Sequence, residues 1–150
     1  MSYTSRRKVP SSTQTFVYRN ENPKGKHTDD CVIRALSAAS GIPYTTVLKE
    51  LVDITLKTGY CFNEPRCYSK WLESKGFVSR KQPRKANNLK YTGSEFCRLV
   101  QTEGKTSDTF VAHLGNHHIA AIIDGKINDI FNSGSACVGH YWVLYKKGGR

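Results

Sequence analysis

The spacing of apolar residues changes once along this chain, near residue 108, and this change constrains the fold more than any other feature. Before it, apolar side chains recur at helical intervals. After it, four segments have the pattern of strands: 108–115, 117–124, 126–132 and 136–146. The Asp124-Gly125 pair between the second and third of these segments is typical of a tight hairpin turn. Helices followed by an antiparallel sheet predict an α+β fold.

The part of the chain before residue 108 is predicted to hold one short strand and four helices. The strand is expected within 14–20, and the helices span about 28–41, 44–57, 65–75 and 92–101. Thr92 and Glu95 have the spacing of a capping box at the start of the last helix. Residues 1–13 are predicted to form a flexible basic arm, and 14–150 a single domain.

The chain is strongly basic, with a formal net charge of +11 from 23 Lys and Arg against 12 Asp and Glu. Such a surface attracts polyanions in general. Residues 75–90 carry six basic side chains and no acidic one, which suggests a patch for nucleic acid or an acidic protein; the alternative is a solvated surface loop. The candidate patch residues are Arg80, Lys81, Arg84, Lys85 and Lys90.

The five cysteines are odd in number and widely scattered, which favours reduced thiols over a disulfide framework. No C-x-x-C pair is present, so we expect neither a structural metal nor a cofactor. A metal site at His113, His117 and His118 is a weaker alternative, because no matching carboxylate motif accompanies them. The longest apolar run, 119–123, is too short to span a bilayer, and no secretory signal is recognised. A cytoplasmic location without a membrane partner is therefore expected.

Cys31 is the main candidate for a catalytic nucleophile, because it lies in the first turn of a helix that is predicted to start with a Thr28 cap. Unpaired backbone N–H groups and the helix dipole favour a thiolate at that position. The adjacent carboxylates of Asp29 and Asp30 oppose this effect. The alternative is a small buried side chain in an amphipathic helix, which is the commoner role of cysteine.

A nucleophilic thiol needs a base and a group that orients the base. His117 and His118 open the strand that precedes the Asp124-Gly125 turn, and strand alternation points one of them to the core side. Asp129 lies on the next strand of that hairpin. A hairpin can bring a histidine and this carboxylate together on one face.

The segments "DCVIRALSAASGIPYTTV" and "GNHHIAAIIDGKINDIF" together resemble the papain-like cysteine peptidase superfamily, and more narrowly its small phage- and bacteria-encoded members. The resemblance implies a papain-like fold and a catalytic triad of Cys31, His118 and Asp129. The family usually has a glutamine, an oxyanion-hole donor, about six residues before the cysteine, where this chain has Gly25. The backbone N–H of Cys31, with Asn20 or Asn22, is the candidate replacement.

The resemblance implies a thiol protease or related hydrolase acting on a protein or peptide: a peptidase, an isopeptidase or a deamidase. It also implies a cytoplasmic location, in the host if the chain is phage-encoded. The alternative function is a basic binding protein on an inactive papain-like scaffold, which contacts nucleic acid or an acidic protein through the candidate patch.

Overall fold

A computed structural model describes residues 9–146, in which four helices surround one six-stranded sheet. Along the chain the elements are β1 (Phe16–Tyr18), α1 (Cys31–Ser40), α2 (Tyr44–Thr58), α3 (Pro65–Ser74), β2 (Val78–Arg80), α4 (Gly93–Thr102), β3 (Thr109–Leu114), β4 (His118–Ile123), β5 (Lys126–Asp129) and β6 (Val138–Leu144). The predicted α+β class is confirmed. Residues 1–8 of the predicted arm lie outside the described residues.

The sheet has the order β1-β5-β4-β3-β6-β2 and is mixed, which corrects the prediction of a purely antiparallel sheet. The four central strands pair in antiparallel fashion, and the Asp124-Gly125 turn joins β4 to β5. Asp124 and Gly125 both have positive φ, at 55° and 73°, as a type I′ hairpin turn requires. The strand β1 pairs with β5 in parallel, because a long connection through α1 to α4 separates them.

Helices cover both faces of the sheet, because alternate residues of each strand point to opposite sides. Val111 of β3 and Ile119 of β4 pack with α1, α2 and α3. Phe110 of β3 and Ile122 of β4 pack with α4 on the other face. This arrangement fixes α1 against β4, which positions the candidate site.

Two details differ from the sequence predictions. Helix α1 begins at Cys31, with Asp30 rather than Thr28 as the N-cap residue, and the Asp30 side chain makes no capping bond. The strand β2 was not predicted. It is only three residues long and exposed throughout, so it carries no apolar alternation, and only its pairing with β6 identifies it.

No single helix among residues 9–146 is long and apolar enough to cross a bilayer. Only α1 and α2 taken together meet the criteria of length and composition, as a pair bent by 116°.

The predicted capping box of α4 is present in both directions. The Thr92 hydroxyl accepts a hydrogen bond from the backbone N–H of Glu95, and the Glu95 carboxylate accepts one from the backbone N–H of Thr92. We expect Thr92→Ala to lower the free energy of unfolding by about 1 kcal/mol, because it leaves a helix N–H unpaired. Urea denaturation measures this loss. As a control, Thr102→Ala at the exposed other end of α4 should change it by less than about 0.5 kcal/mol. Equal effects of the two substitutions would contradict the role of the cap.

Candidate active site

The Cys31 side chain is partly buried at the start of α1, where this helix packs against β4. Because Cys31 is the first helical residue, no carbonyl within the helix can accept a hydrogen bond from its backbone N–H. The thiol therefore lies beside a free donor at the positive end of the helix dipole.

The hairpin of β4 and β5 brings His118 to this thiol and Asp129 to His118. His118 begins β4 and Asp129 ends β5, so both lie at the open end of the hairpin. The His118 Nε2 and Asp129 Oδ2 atoms are 2.5 Å apart. Because Asp129 occupies Nε2, the other ring nitrogen, Nδ1, is left for the Cys31 thiol, which borders the same cleft and whose pKa this imidazole lowers. The three predicted residues therefore form a thiol–imidazole–carboxylate series.

The surroundings of Cys31 lower the pKa of its thiol. Burial by itself raises this pKa. The hydrogen bond and charge of His118, the backbone N–H of Ile119 and the charge of Arg34 act in the opposite direction and outweigh burial. The thiolate is therefore favoured relative to a free cysteine.

The same contacts raise the pKa of His118 to about 9. Burial of the ring lowers this pKa, but the hydrogen bonds and charges of Asp129 and Cys31 more than offset burial. A raised imidazole pKa and a lowered thiol pKa both favour a thiolate–imidazolium pair.

Arg34 anchors the carboxylate of the series. Its Nη1 lies 2.5 Å from Asp129 Oδ1, and the backbone N–H of Ile130 donates to the same oxygen at 2.7 Å. Asp129 is 2% exposed and Arg34 is 6% exposed, so the ion pair is shielded from water. The pair fixes the Asp129 side chain, with Oδ2 directed to His118.

Asp30 holds the other side of the Arg34 guanidinium. Arg34 Nε donates to Asp30 Oδ1 at 2.7 Å, an ion pair between residues four positions apart. The Asn22 amide and the Tyr44 hydroxyl donate to Asp30 Oδ2 at 2.9 Å and 2.8 Å. Burial raises the pKa of Asp30, yet the bonds from Asn22, Arg34 and Tyr44 lower it overall. These donors thus compensate the negative charge of Asp30, the carboxylate that directly precedes Cys31 in the chain.

The thiol opens into a cleft of about 730 Å³. Its walls come from the loop before α1, the start of α3, the β3–β4 turn and the loop after β5. Phe131, 45% exposed, packs its ring on His118 at a centroid distance of 4.6 Å. This ring covers one side of the imidazole, a position that sequence reasoning did not assign. Phe62 also lines the cleft.

A second pair of polar groups borders the same cleft. The Tyr68 hydroxyl is hydrogen-bonded to His113 Nε2, and both side chains contact the Trp142 ring edge to face. Tyr68 had no predicted role, and His113 was considered only as a metal ligand together with His117 and His118. Their spacing, on a helix and a distant strand, gives no local signal.

The two asparagines suggested as oxyanion donors do not line the cleft. The Asn20 amide donates to the carbonyl of Lys26, and the Asn22 amide donates to Asp30. Their N–H groups are therefore used within the loop before α1. The Cys31 backbone N–H remains in place as a donor at the cleft.

The candidate basic patch lies away from the cleft, on β2 and the segment that follows it at the opposite edge of the sheet. Lys85 forms an ion pair with Glu95 at 2.6 Å, and Arg80 donates to the Tyr145 hydroxyl. Lys81, Arg84 and Lys90 are exposed. Within residues 9–146, no group of three or more His, Cys, Asp and Glu side chains is arranged to hold a metal ion.

Comparison of the chain with protein-family models, with curated proteins and with solved structures finds no match. The function is therefore argued from the site itself.

The two partly buried histidines of the cleft, His113 and His118, should titrate on opposite sides of the ordinary value of 6.5. We expect His118 to titrate at about 9, whereas burial and the charge of His140 lower the pKa of His113. Nuclear magnetic resonance titration of histidine ring protons measures both values in one sample. In Asp129→Asn the pKa of His118 should fall, because the carboxylate that stabilises the imidazolium is lost, while that of His113 stays in place. A His118 that titrates near 6.5 would refute the proposed ion pair.

Proposed function

We propose that this chain is a cysteine-dependent hydrolase in which Cys31 is the nucleophile, His118 the general acid and base, and Asp129 the residue that orients His118. The observation that carries the proposal is the bond between the His118 imidazole and the buried Asp129 carboxylate, in the same cleft as the Cys31 thiol. The order of these groups, with the thiol opening a helix and the other two on adjacent strands, supports a papain-like arrangement.

The proposed reaction begins with attack of the Cys31 thiolate on a carbonyl carbon. A carbon–sulfur bond forms and the carbonyl oxygen becomes an oxyanion, which the Cys31 backbone N–H stabilises. The tetrahedral intermediate then collapses, and His118 gives its proton to the leaving amine as the carbon–nitrogen bond breaks. Water, deprotonated by His118, attacks the resulting thioester and releases the acid and the thiol. Peptides, isopeptides and glutamine side chains are all substrates of this chemistry.

The proposal is tested by the pH dependence of Cys31 alkylation with iodoacetamide, with the modified site assigned by mass spectrometry. The rate of alkylation is measured from about pH 4 to about pH 9. Cys31 should already react at pH values well below the free thiol pKa of about 8.5. In His118→Ala this reactivity should shift towards that of an ordinary thiol. The exposed Cys61 and Cys137 are internal controls in the same sample. A Cys31 that reacts like these two, and ignores the His118 substitution, would overturn the proposal.

A second candidate function, binding of nucleic acid, is favoured by the exposed cations Lys81, Arg84 and Lys90. Because each phosphate contact releases counterions, binding to a single-stranded oligonucleotide should weaken steeply as salt rises. Replacing the three residues by glutamine should reduce the slope of log K against log salt by about 2. As a control, glutamine at the exposed Lys49, Lys57 and Lys70 removes the same charge elsewhere. Equal slopes for both triple variants would exclude this patch as the binding surface.

A further inference from the structure

The proposed reaction leaves one requirement open, because the backbone N–H of Cys31 is a single donor for the oxyanion. An oxyanion is stabilised best by several donors placed before the reaction. Gly25 has no side chain to offer, and the amides of Asn20 and Asn22 bind within their own loop. A second donor must therefore come from another wall of the cleft.

Tyr68 lies in the wall of the cleft formed by α3, which contributes no residue to the proposed mechanism so far. It belongs to α3, is only 3% exposed and borders the cleft together with Cys31. Its hydroxyl is bonded to His113, whose cross-strand partner in the sheet is Ile119. Ile119 lines the cleft beside Cys31, and its backbone N–H lowers the pKa of the thiol. Tyr68 and His113 are thus adjacent to the part of the sheet that contacts the nucleophile.

The ring contacts hold this pair in one orientation. The Tyr68 and His113 rings meet nearly at right angles, at 82° with a centroid distance of 6.0 Å. Trp142 packs against both, at 5.7 Å from Tyr68 and 5.3 Å from His113. A hydroxyl held in this way needs little reorganisation during the reaction, which is the property that makes a donor effective.

The protonation states of His113 and Tyr68 favour the Tyr68 hydroxyl as a hydrogen-bond donor. Burial and the charge of His140 lower the pKa of His113, which favours a neutral ring with one N–H group. Burial and the charge of Cys31 raise the pKa of Tyr68, so its hydroxyl keeps its proton. When Nε2 of His113 carries the ring proton, it donates to the Tyr68 oxygen. The Tyr68 O–H is then free to donate into the cleft.

We propose that the Tyr68 hydroxyl is the second oxyanion donor of this site, and that His113 positions it by donating from Nε2. This inference rests on the proposed hydrolase function and adds a catalytic residue to it. The oxyanion is held between the backbone N–H of Cys31 and the side chain of Tyr68.

Two reagents that react with the same thiol separate this role from a structural one. Iodoacetamide is attacked at its CH₂ carbon; a carbon–sulfur bond forms, iodide leaves, and no oxyanion arises. p-Nitrophenyl acetate is attacked at its carbonyl carbon; an oxyanion forms, and the thioester of Cys31 results as p-nitrophenolate leaves. An oxyanion donor affects only the second reaction.

The experiment compares the wild-type protein with Tyr68→Phe, using Tyr91→Phe as a control that removes a hydroxyl away from the cleft. Acetylation of Cys31 is followed by p-nitrophenolate release and mass spectrometry, and alkylation is followed across pH. We expect Tyr68→Phe to slow acetylation by about 10²-fold, the usual effect of removing one such donor. Its alkylation profile should match that of the wild type, and Tyr91→Phe should match it in both reactions.

Each of the other possible outcomes of this experiment would contradict one specific claim. If Tyr68→Phe is acetylated at the wild-type rate, Tyr68 is not an oxyanion donor. If acetylation and alkylation slow by the same factor, Tyr68 supports the thiolate or the packing, and the inference is again wrong. If the wild-type Cys31 is alkylated like an ordinary thiol and is not acetylated, the proposed hydrolase function fails, and this inference fails with it.

Discussion

The site depends on one buried cation, the guanidinium of Arg34, held between the carboxylates of Asp30 and Asp129. Two carboxylates at this depth would be protonated or expelled without it, because an uncompensated buried charge is very costly. Breaking such a pair by removing one partner typically costs about 3–5 kcal/mol. Arg34 lies one helical turn after Cys31, so the same helix carries the proposed nucleophile and holds the Asp129 carboxylate that bonds to His118.

The interactions around Arg34 connect parts of the chain that are distant in sequence. Asn22 and Tyr44 reach Asp30 from the loop before α1 and from α2, while Asp129 comes from the end of β5. Removal of Arg34 leaves Asp30 Oδ1 without this donor inside the protein. Asp30 Oδ2, in contrast, has two donors, Asn22 and Tyr44. The loop before α1 is therefore part of the support of the site, which explains why Asn22 faces Asp30 instead of the cleft.

The sequence was sufficient to predict those features that are marked by residues close together in the chain. Glycines and a capping box mark the ends of the helices, and the Asp124-Gly125 turn sets the register that brings the β4 and β5 ends together. The bond from Arg34 to Asp129, the cover of His118 by Phe131 and the pairing of Tyr68 with His113 were not predictable in this way. Each joins side chains from separate elements, and only tertiary packing determines which of them meet.

The placement of the three reacting groups along the chain has a consequence for synthesis. Cys31 is made long before His118 and Asp129, and chains emerge from the ribosome with the N-terminal part first. The sheet that supports the imidazole also needs β6, which comes later still. A nascent chain therefore lacks the contacts that lower the pKa of the Cys31 thiol, and under the proposed function Cys31 is activated only when the fold is complete.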